Sequence, residues 1–171
     1  RGLFLSDAPV DFQGAYYKLD KAPLSPACFQ GPHIPILVGG TGEKRTLRTL
    51  ARYGDIMNLD GWAGGPMTAE YFKHKVGVLT KHCEDWGRDP SEIKKTVLMP
   101  TLVSDNEDEV EAFIKGRNLG EGTAAGSKSF VIDRIGELID AGAEEVMLGG
   151  ISTVVAENFQ FVDEEILSAF D

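Results

Sequence analysis

Gly39, Gly40, Thr41 and Gly42 stand directly after a short apolar run, and Glu43, Lys44 and Arg45 follow at once. The chemistry this spacing offers is the holding of an anion. Glycine admits positive φ and lets a ligand come close to the peptide groups. A helix that starts just beyond such a turn points unpaired amides and a positive dipole end at that ligand. Lys44 and Arg45 sharpen the reading. In a helix's first turn each cation opposes the dipole by roughly 0.3–1 kcal/mol, and a bound phosphate reverses that sign. Glu43 is the conventional residue for such a position. The same residues also fit a tight strand-to-helix turn with a solvated basic face, and the residues alone leave both readings open. A dinucleotide fingerprint would need a third glycine at the proper offset, and a P-loop would need Gly-Lys-Ser/Thr after four residues; neither is present.

The elements around the turn must position it. Ile34, Ile36, Leu37 and Val38 predict a strand over Ile34–Val38, buried on both faces. Thr41 is placed to cap the next helix, whose buried stripe is Leu47, Leu50 and Ala51, extended by Tyr53. Gly54 stops that helix, and Asp55–Leu59 supplies a second strand. Upstream, Val10–Leu19 alternates around Gly14 and predicts a hairpin. The proline-rich Lys21–Pro35 reads as a surface connection in which Cys28 and Phe29 pack.

Downstream, Trp62 lies in a Gly- and Pro-rich loop, either against a planar ligand or as a hydrophobic lid. Thr68 caps a helix reaching about Trp86. Phe72, Leu79, Cys83 and Trp86 form its core stripe, and Lys73, Lys75 and Lys81 its solvated face. His74 and His82 read as ordinary helix residues, since they lack a zinc spacing. Lys95–Val103 is a third strand, in which Pro100 signals an edge, a bulge or a break. Ser104 and Glu107 form a capping box, and the acidic run Asp105–Glu109 is a solvated helix start, with no metal site expected. Asn118–Lys128 is rich in small residues and is expected to be mobile. Phe130–Ala141 is an amphipathic helix and Glu145–Leu148 a fourth strand. Gly149-Gly150 makes a second glycine turn, and Val154–Phe170 a closing helix with Phe159, Val162, Ile166 and Phe170 as its stripe.

Composition removes several function classes. A net charge of −10 argues against a general nucleic-acid binder and against docking on an anionic membrane. No apolar run approaches the length that spans a bilayer, and no signal peptide is visible. Cys28 and Cys83 lack metal spacing and read as free thiols, which places the chain in the reducing cytoplasm. A local basic cluster at Lys44, Arg45, Arg48 and Arg52 still admits a small anion. Strands alternating with helices predict an α/β fold with a parallel sheet and right-handed crossovers, either an open doubly wound sheet or part of a barrel.

The segment PILVGGTGEKRTLRTLARYGDIMNL (Pro35–Leu59) resembles the luciferase-like flavin and deazaflavin oxidoreductases, and within them the group that uses the deazaflavin coenzyme F-420. HKVGVLTKHCEDWGRDPSEIKKTV (His74–Val97), GELIDAGAEEVMLGG (Gly136–Gly150) and the hairpin at Val10–Ala22 resemble the same group. The resemblance implies the C-terminal half of a (β/α)8 barrel as a single domain over residues 1–171, with 1–33 as hairpin and connection and 34–171 as barrel strands and helices. It implies hydride transfer with a small-molecule substrate, using coenzyme F-420 or, alternatively, FMN. Gly39, Gly40, Thr41 and Gly42 would hold the cofactor phosphate, and Lys44 would add charge. The family's acid/base residues come mainly from the other half of the barrel, so no catalytic residue is named. The chain starts at Arg1 and matches the later half of such proteins, which implies a missing N-terminal half or a homo-oligomer. The remaining alternatives are another phosphate-binding barrel enzyme and a non-catalytic half-barrel.

Overall fold

Proline and glycine set the breaks between elements, and the sheet grows between them. The structure is a computed structural model that describes residues 2–31, 33–151 and 156–170. It divides into two compact units, Arg1–Ile36 and Leu37–Asp171. In the first, a short helix α1 (Gly2–Leu5) precedes the antiparallel hairpin β1 (Val10–Gln13) and β2 (Lys18–Ala22). Lys21 takes a positive φ of 44°, and its amide donates to Asp11 Oδ1 at 2.8 Å across the hairpin. Phe29 is fully exposed, so the expectation that it packs fails.

In the second unit, five parallel strands form one sheet. They are β3 (Leu37–Gly39), β4 (Ile56–Asp60), β5 (Lys94–Val103), β6 (Ala124–Gly126) and β7 (Glu145–Gly149). β5 is central: it pairs with β4, β6 and β7. Pro100 therefore lies in an inner strand and marks no edge. Pairing with β4 ends at Leu98, and pairing with β6 begins at Thr101. A residue without an amide proton costs least at such a change of partner. β3 pairs only with β4 among the described residues. Its edge position leaves Leu37 about half exposed, so the strand is not buried on both faces, and it begins at Leu37 rather than at Ile34.

Helices α2 (Thr46–Tyr53), α3 (Ala69–Asp85), α4 (Glu107–Gly116) and α5 (Lys128–Asp140) alternate with these strands. The main core is one cluster, with a smaller one around Phe113, Leu119 and Ala125. Leu47, Leu50 and Ala51 of α2 and Phe72, Leu79 and Cys83 of α3 join Met57 and Leu59 of β4, Val97 and Met99 of β5, and Val131, Ile135 and Leu138 of α5. Burial raises the pKa of the Cys83 thiol, as expected of an unreactive core cysteine. Thr68 caps α3 as expected, accepting from the Tyr71 amide at 3.2 Å. The cap of α4 is Asn106, which accepts from Asp108 and Glu109, while Ser104 Oγ donates to Glu109. Asparagine there reaches two amides at once, so the expected Ser104–Glu107 box shifts along the chain. The closing segment is α6 (Ala156–Phe161) followed by wider and tighter turns over Val162–Ile166 and Leu167–Phe170. Ile166 is buried, whereas Phe159 is exposed; Val154 lies outside the described residues.

Asn118–Lys128 is not a loose linker. Met67 donates its amide to the Glu121 carbonyl at 2.6 Å, and Thr123 Oγ1 bonds the Gly120 carbonyl at 2.7 Å. A β-carbon on Gly120 would fall 2.4 Å from the Gly65 carbonyl oxygen. The small residues let two backbones touch, and Thr123, Ala124 and Ala125 are buried as β6 begins.

α2 has only eight residues and no side-chain N-cap, so its position needs outside support. Arg88, just past α3, provides it. Its Nη1 donates to the carbonyls of Gly54 at 2.7 Å, Ala51 at 3.1 Å and Leu50 at 3.4 Å. A cation at these carbonyls also complements the helix dipole. Arg88→Ala is expected to destabilise the chain by about 1–3 kcal/mol, as for a partly buried charged donor. Urea unfolding monitored by circular dichroism checks this, and an unchanged midpoint would mean that water replaces the guanidinium without loss.

Candidate functional site

The glycine turn lies at the C-terminal end of β3, the end where parallel α/β sheets gather ligands. Gly39 ends the strand in register with Asn58 of β4, and the Gly40 amide donates to the Asn58 carbonyl at 3.0 Å. Gly40 has φ +117°, a conformation that L side chains rarely adopt. A β-carbon on Gly42 would fall 2.8 Å from Thr46 Oγ1. Gly40 is thus required by the backbone of the turn, whereas a side chain at Gly42 would have to displace that of Thr46. Gly39 differs: a β-carbon there meets nothing within 4 Å. Its smallness is unused by this chain's own packing and leaves the backbone open to approach.

The helix starts later than expected. α2 begins at Thr46, with Arg45 at the cap position and no side-chain cap. Thr41 therefore does not cap it, and Lys44 and Arg45 precede the helix rather than fill its first turn. The Leu47 amide is taken by the Gly42 carbonyl at 3.0 Å, which closes the turn on itself.

Glu43 fixes this extended turn from the outside. Its Oε1 accepts from Lys75 Nζ at 2.6 Å and lies 2.9 Å from His74 Nε2, and its backbone carbonyl lies 2.9 Å from His82 Nε2. All three partners come from α3. Lys75 is buried, against the expectation of a solvated lysine, and lies 4.7 Å from the Tyr71 ring centroid. The sequence carried a signal for this. Lys75 falls between Phe72 and Leu79 on the helix's apolar stripe, and a lysine there must find a partner. His74 and His82 likewise act as anchors, although their spacing gave no metal site.

The hydrogen bonds from Lys75 and then His74 hold the Glu43 carboxyl below its ordinary value of 4.5. For Lys75, burial alone would lower the pKa, but the bond to Glu43 and the nearby Tyr71 leave it above its ordinary 10.5.

Lys44 lines a shallow groove of about 380 Å³ with Arg45, Arg48, Arg52 and Trp86, along the outer face of α2. The Arg52 guanidinium lies 4.3 Å from the Trp86 ring centroid and that of Arg48 5.8 Å. Trp86 is thus a platform for cations and is 41% exposed, not a core residue. At the ends of β4 and β7, Asp60 Oδ1 accepts from the Trp62 amide at 2.9 Å. The Trp62 ring meets Phe113 edge-on, with centroids 6.2 Å apart. A β-carbon on Gly149 would fall 2.8 Å from Trp62 Nε1, so the indole closes down on the second glycine turn. These contacts favour the hydrophobic-lid reading of Trp62. Among the described residues no group of His, Cys, Asp and Glu could hold a metal ion.

A model of the luciferase-like monooxygenase family matches residues 1–120. The chain belongs to this family. The 5,10-methylenetetrahydromethanopterin reductase of Methanopyrus kandleri is 26% identical over 170 residues, covering 98% of this chain and 45% of that protein. The chain thus spans about half the length of the curated relative it matches. The solved coenzyme F420 dependent tetrahydromethanopterin reductase from Methanopyrus kandleri superposes with a TM-score of 0.73 at 18% identity, over 98% of this chain and 60% of that one. An F420-dependent secondary alcohol dehydrogenase, solved with an F420-acetone adduct, gives 0.78 at 22% identity, over 99% and 58%. A long-chain alkane monooxygenase gives 0.69 at 15%, over 95% and 46%. At these identities the likeness is one of fold, and the fold is a partial (β/α)8 barrel. No helix among the described residues is long and apolar enough to cross a membrane.

The Glu43–Lys75 pair has a pH signature. A depressed carboxylate contributes stability above its ordinary 4.5, lost as the pH falls through the lowered value. A raised lysine contributes stability below 10.5, lost as the pH rises through the raised value. The melting temperature of Glu43→Gln should therefore lie below that of the parent between pH 4.5 and 10.5 and converge with it on acidification below 4.5. Scanning calorimetry across that range checks this, and a gap that widens in acid would refute the assignment.

Proposed function

We propose that this chain is the C-terminal part of a luciferase-like oxidoreductase that uses coenzyme F-420, with FMN as the alternative, and acts on a small molecule. The observation that carries the reading is the open backbone at Gly39, at the C-terminal end of a strand in a chain of this family. The cradle fits a phosphate group: it has room beside Gly39 and a turn shape fixed by Gly40 and by the Gly42–Leu47 hydrogen bond. In this reading Gly39, Gly40, Thr41 and Gly42 hold the phosphate of the cofactor, and Lys44 adds charge from the groove beside it. Bound there, the tricyclic ring would supply hydride chemistry. This chain's own residues bind and orient. Trp62, packed on Phe113, shelters the strand ends from water.

The surfaces at the ends of the sheet support a partner. Ile135, Ile139, Val146, Leu148, Leu167 and Phe170 line an apolar groove of about 260 Å³ beside β7. At the opposite edge Leu37 is about half exposed. The rest of a barrel covers both in this reading, supplied by further chain or by a second copy. The acid/base residues of the reaction would come from that part.

Gly39→Val is the test at the turn. Its site is free of contacts and outside the positive-φ range, so the variant should fold with a melting temperature close to that of the parent. Affinity for FMN or deazaflavin phosphate should fall at least tenfold, about 1.4 kcal/mol. Affinity for riboflavin, which lacks the phosphate, should hold. Thermal shift with each ligand reads this by mass action. Equal loss for both would place the phosphate elsewhere. A second measurement concerns Lys44→Ala: its loss of FMN affinity should shrink with added salt, because an exposed cation acts over a Debye length of ~10 Å at 0.1 M. The same loss at low and high salt would remove charge as the cause.

A further inference from the structure

The glycine turn is held by groups that no part of the proposed phosphate contact uses. The turn runs from Gly40 to Arg45 without regular structure, although Glu43, Lys44 and Arg45 are good helix formers. Something must keep those residues out of the helix. Among the described residues, Glu43 is the side chain of the turn whose bonds reach far along the chain. Lys75, with a side chain only 8% exposed, donates to it at 2.6 Å. His74 meets the same oxygen, and His82, two helical turns past Lys75, meets the Glu43 carbonyl. Side chain and main chain of one turn residue are thus gripped from two levels of α3.

We infer that Glu43, Lys75 and His82 are positioning residues: they fix the glycine turn in the open shape that receives a phosphate, without touching the ligand. The inference rests on the reading of the turn as a phosphate site, but its first consequence does not. A buried lysine with one carboxylate partner strongly favours the geometry that keeps the pair. Removing the partner frees the turn, while α3 stays anchored through Phe72, Leu79 and Cys83.

Hydrogen exchange of the 171-residue chain tests this without any ligand. In Lys75→Met, which keeps an unbranched apolar stem out to the ε position, the bonded amides that frame the turn, Gly40 and Leu47, should exchange at least tenfold faster. Amides of α3 around Leu79 should keep their parental rates. The exchanged pair Glu43→Lys with Lys75→Glu should restore slow exchange in the turn. Unchanged exchange in the turn of Lys75→Met overturns the inference. So does an increase spread evenly over the turn and α3, because that is general loss of stability. FMN and riboflavin then separate the two readings. A tenfold loss for FMN alone, alongside faster turn exchange, supports both. Faster exchange with FMN affinity intact keeps Glu43 and Lys75 as the grip on the turn and removes the phosphate from it.

Discussion

The second unit depends on β5 more than on any other element. Its ten residues pair with β4, β6 and β7, and its inner positions Val97 and Met99 are fully buried. A parallel strand with neighbours on both sides has one tolerable register, because a slip of one residue turns every side chain to the opposite face. The register of β5 therefore sets the height at which β4 and β7 end. The Trp62 and Gly149 segments meet at that height.

Above the strand ends a different kind of force takes over. The turn after β3 has too few apolar residues to be held by burial. Its shape comes from the glycine backbone at Gly40, from the Gly42–Leu47 hydrogen bond and from the polar grip on Glu43. This division of labour is common in α/β proteins, where a packed frame carries loops whose geometry is set by hydrogen bonds. It separates stability from binding. Substitutions in Leu47 or Leu79 act on the frame, whereas those in the turn act on what the frame presents.

Much of this was legible in the residues. The strands β3, β4, β5 and β7 and the helices between them follow from apolar periodicity and from Gly54 and Thr68, although β3 begins only at Leu37. The glycine turn was placed at the correct end of its strand. β6 was missed because Ala124-Ala125-Gly126 carries no β-branched or aromatic side chain, and its pairing comes from β5 alone. The start of α2 was set too early because local propensity favours helix from Glu43 onward, while tertiary bonds from α3 hold those residues in a turn. Lys75 was assigned to solvent on residue type, although its place between Phe72 and Leu79 pointed inward. The exposure of Phe130, Ile139 and Phe159 has the opposite cause. Helical spacing shows that a face is apolar, but not whether its partner belongs to the same chain.

The basic groove along α2 has a kinetic side. The chain carries a net charge of −10, yet Lys44, Arg45, Arg48 and Arg52 share one short face, two of them stacked on Trp86. To an anion arriving from solution, most of the surface is repulsive and this strip is attractive. Such a lopsided field orients the encounter before contact, narrowing the approaches that a diffusing anion samples. Its main effect is on the rate of arrival rather than the tightness of the final complex. The arginines of α2 need not touch a bound molecule to matter, since they can act as a landing strip that ends at the glycine turn.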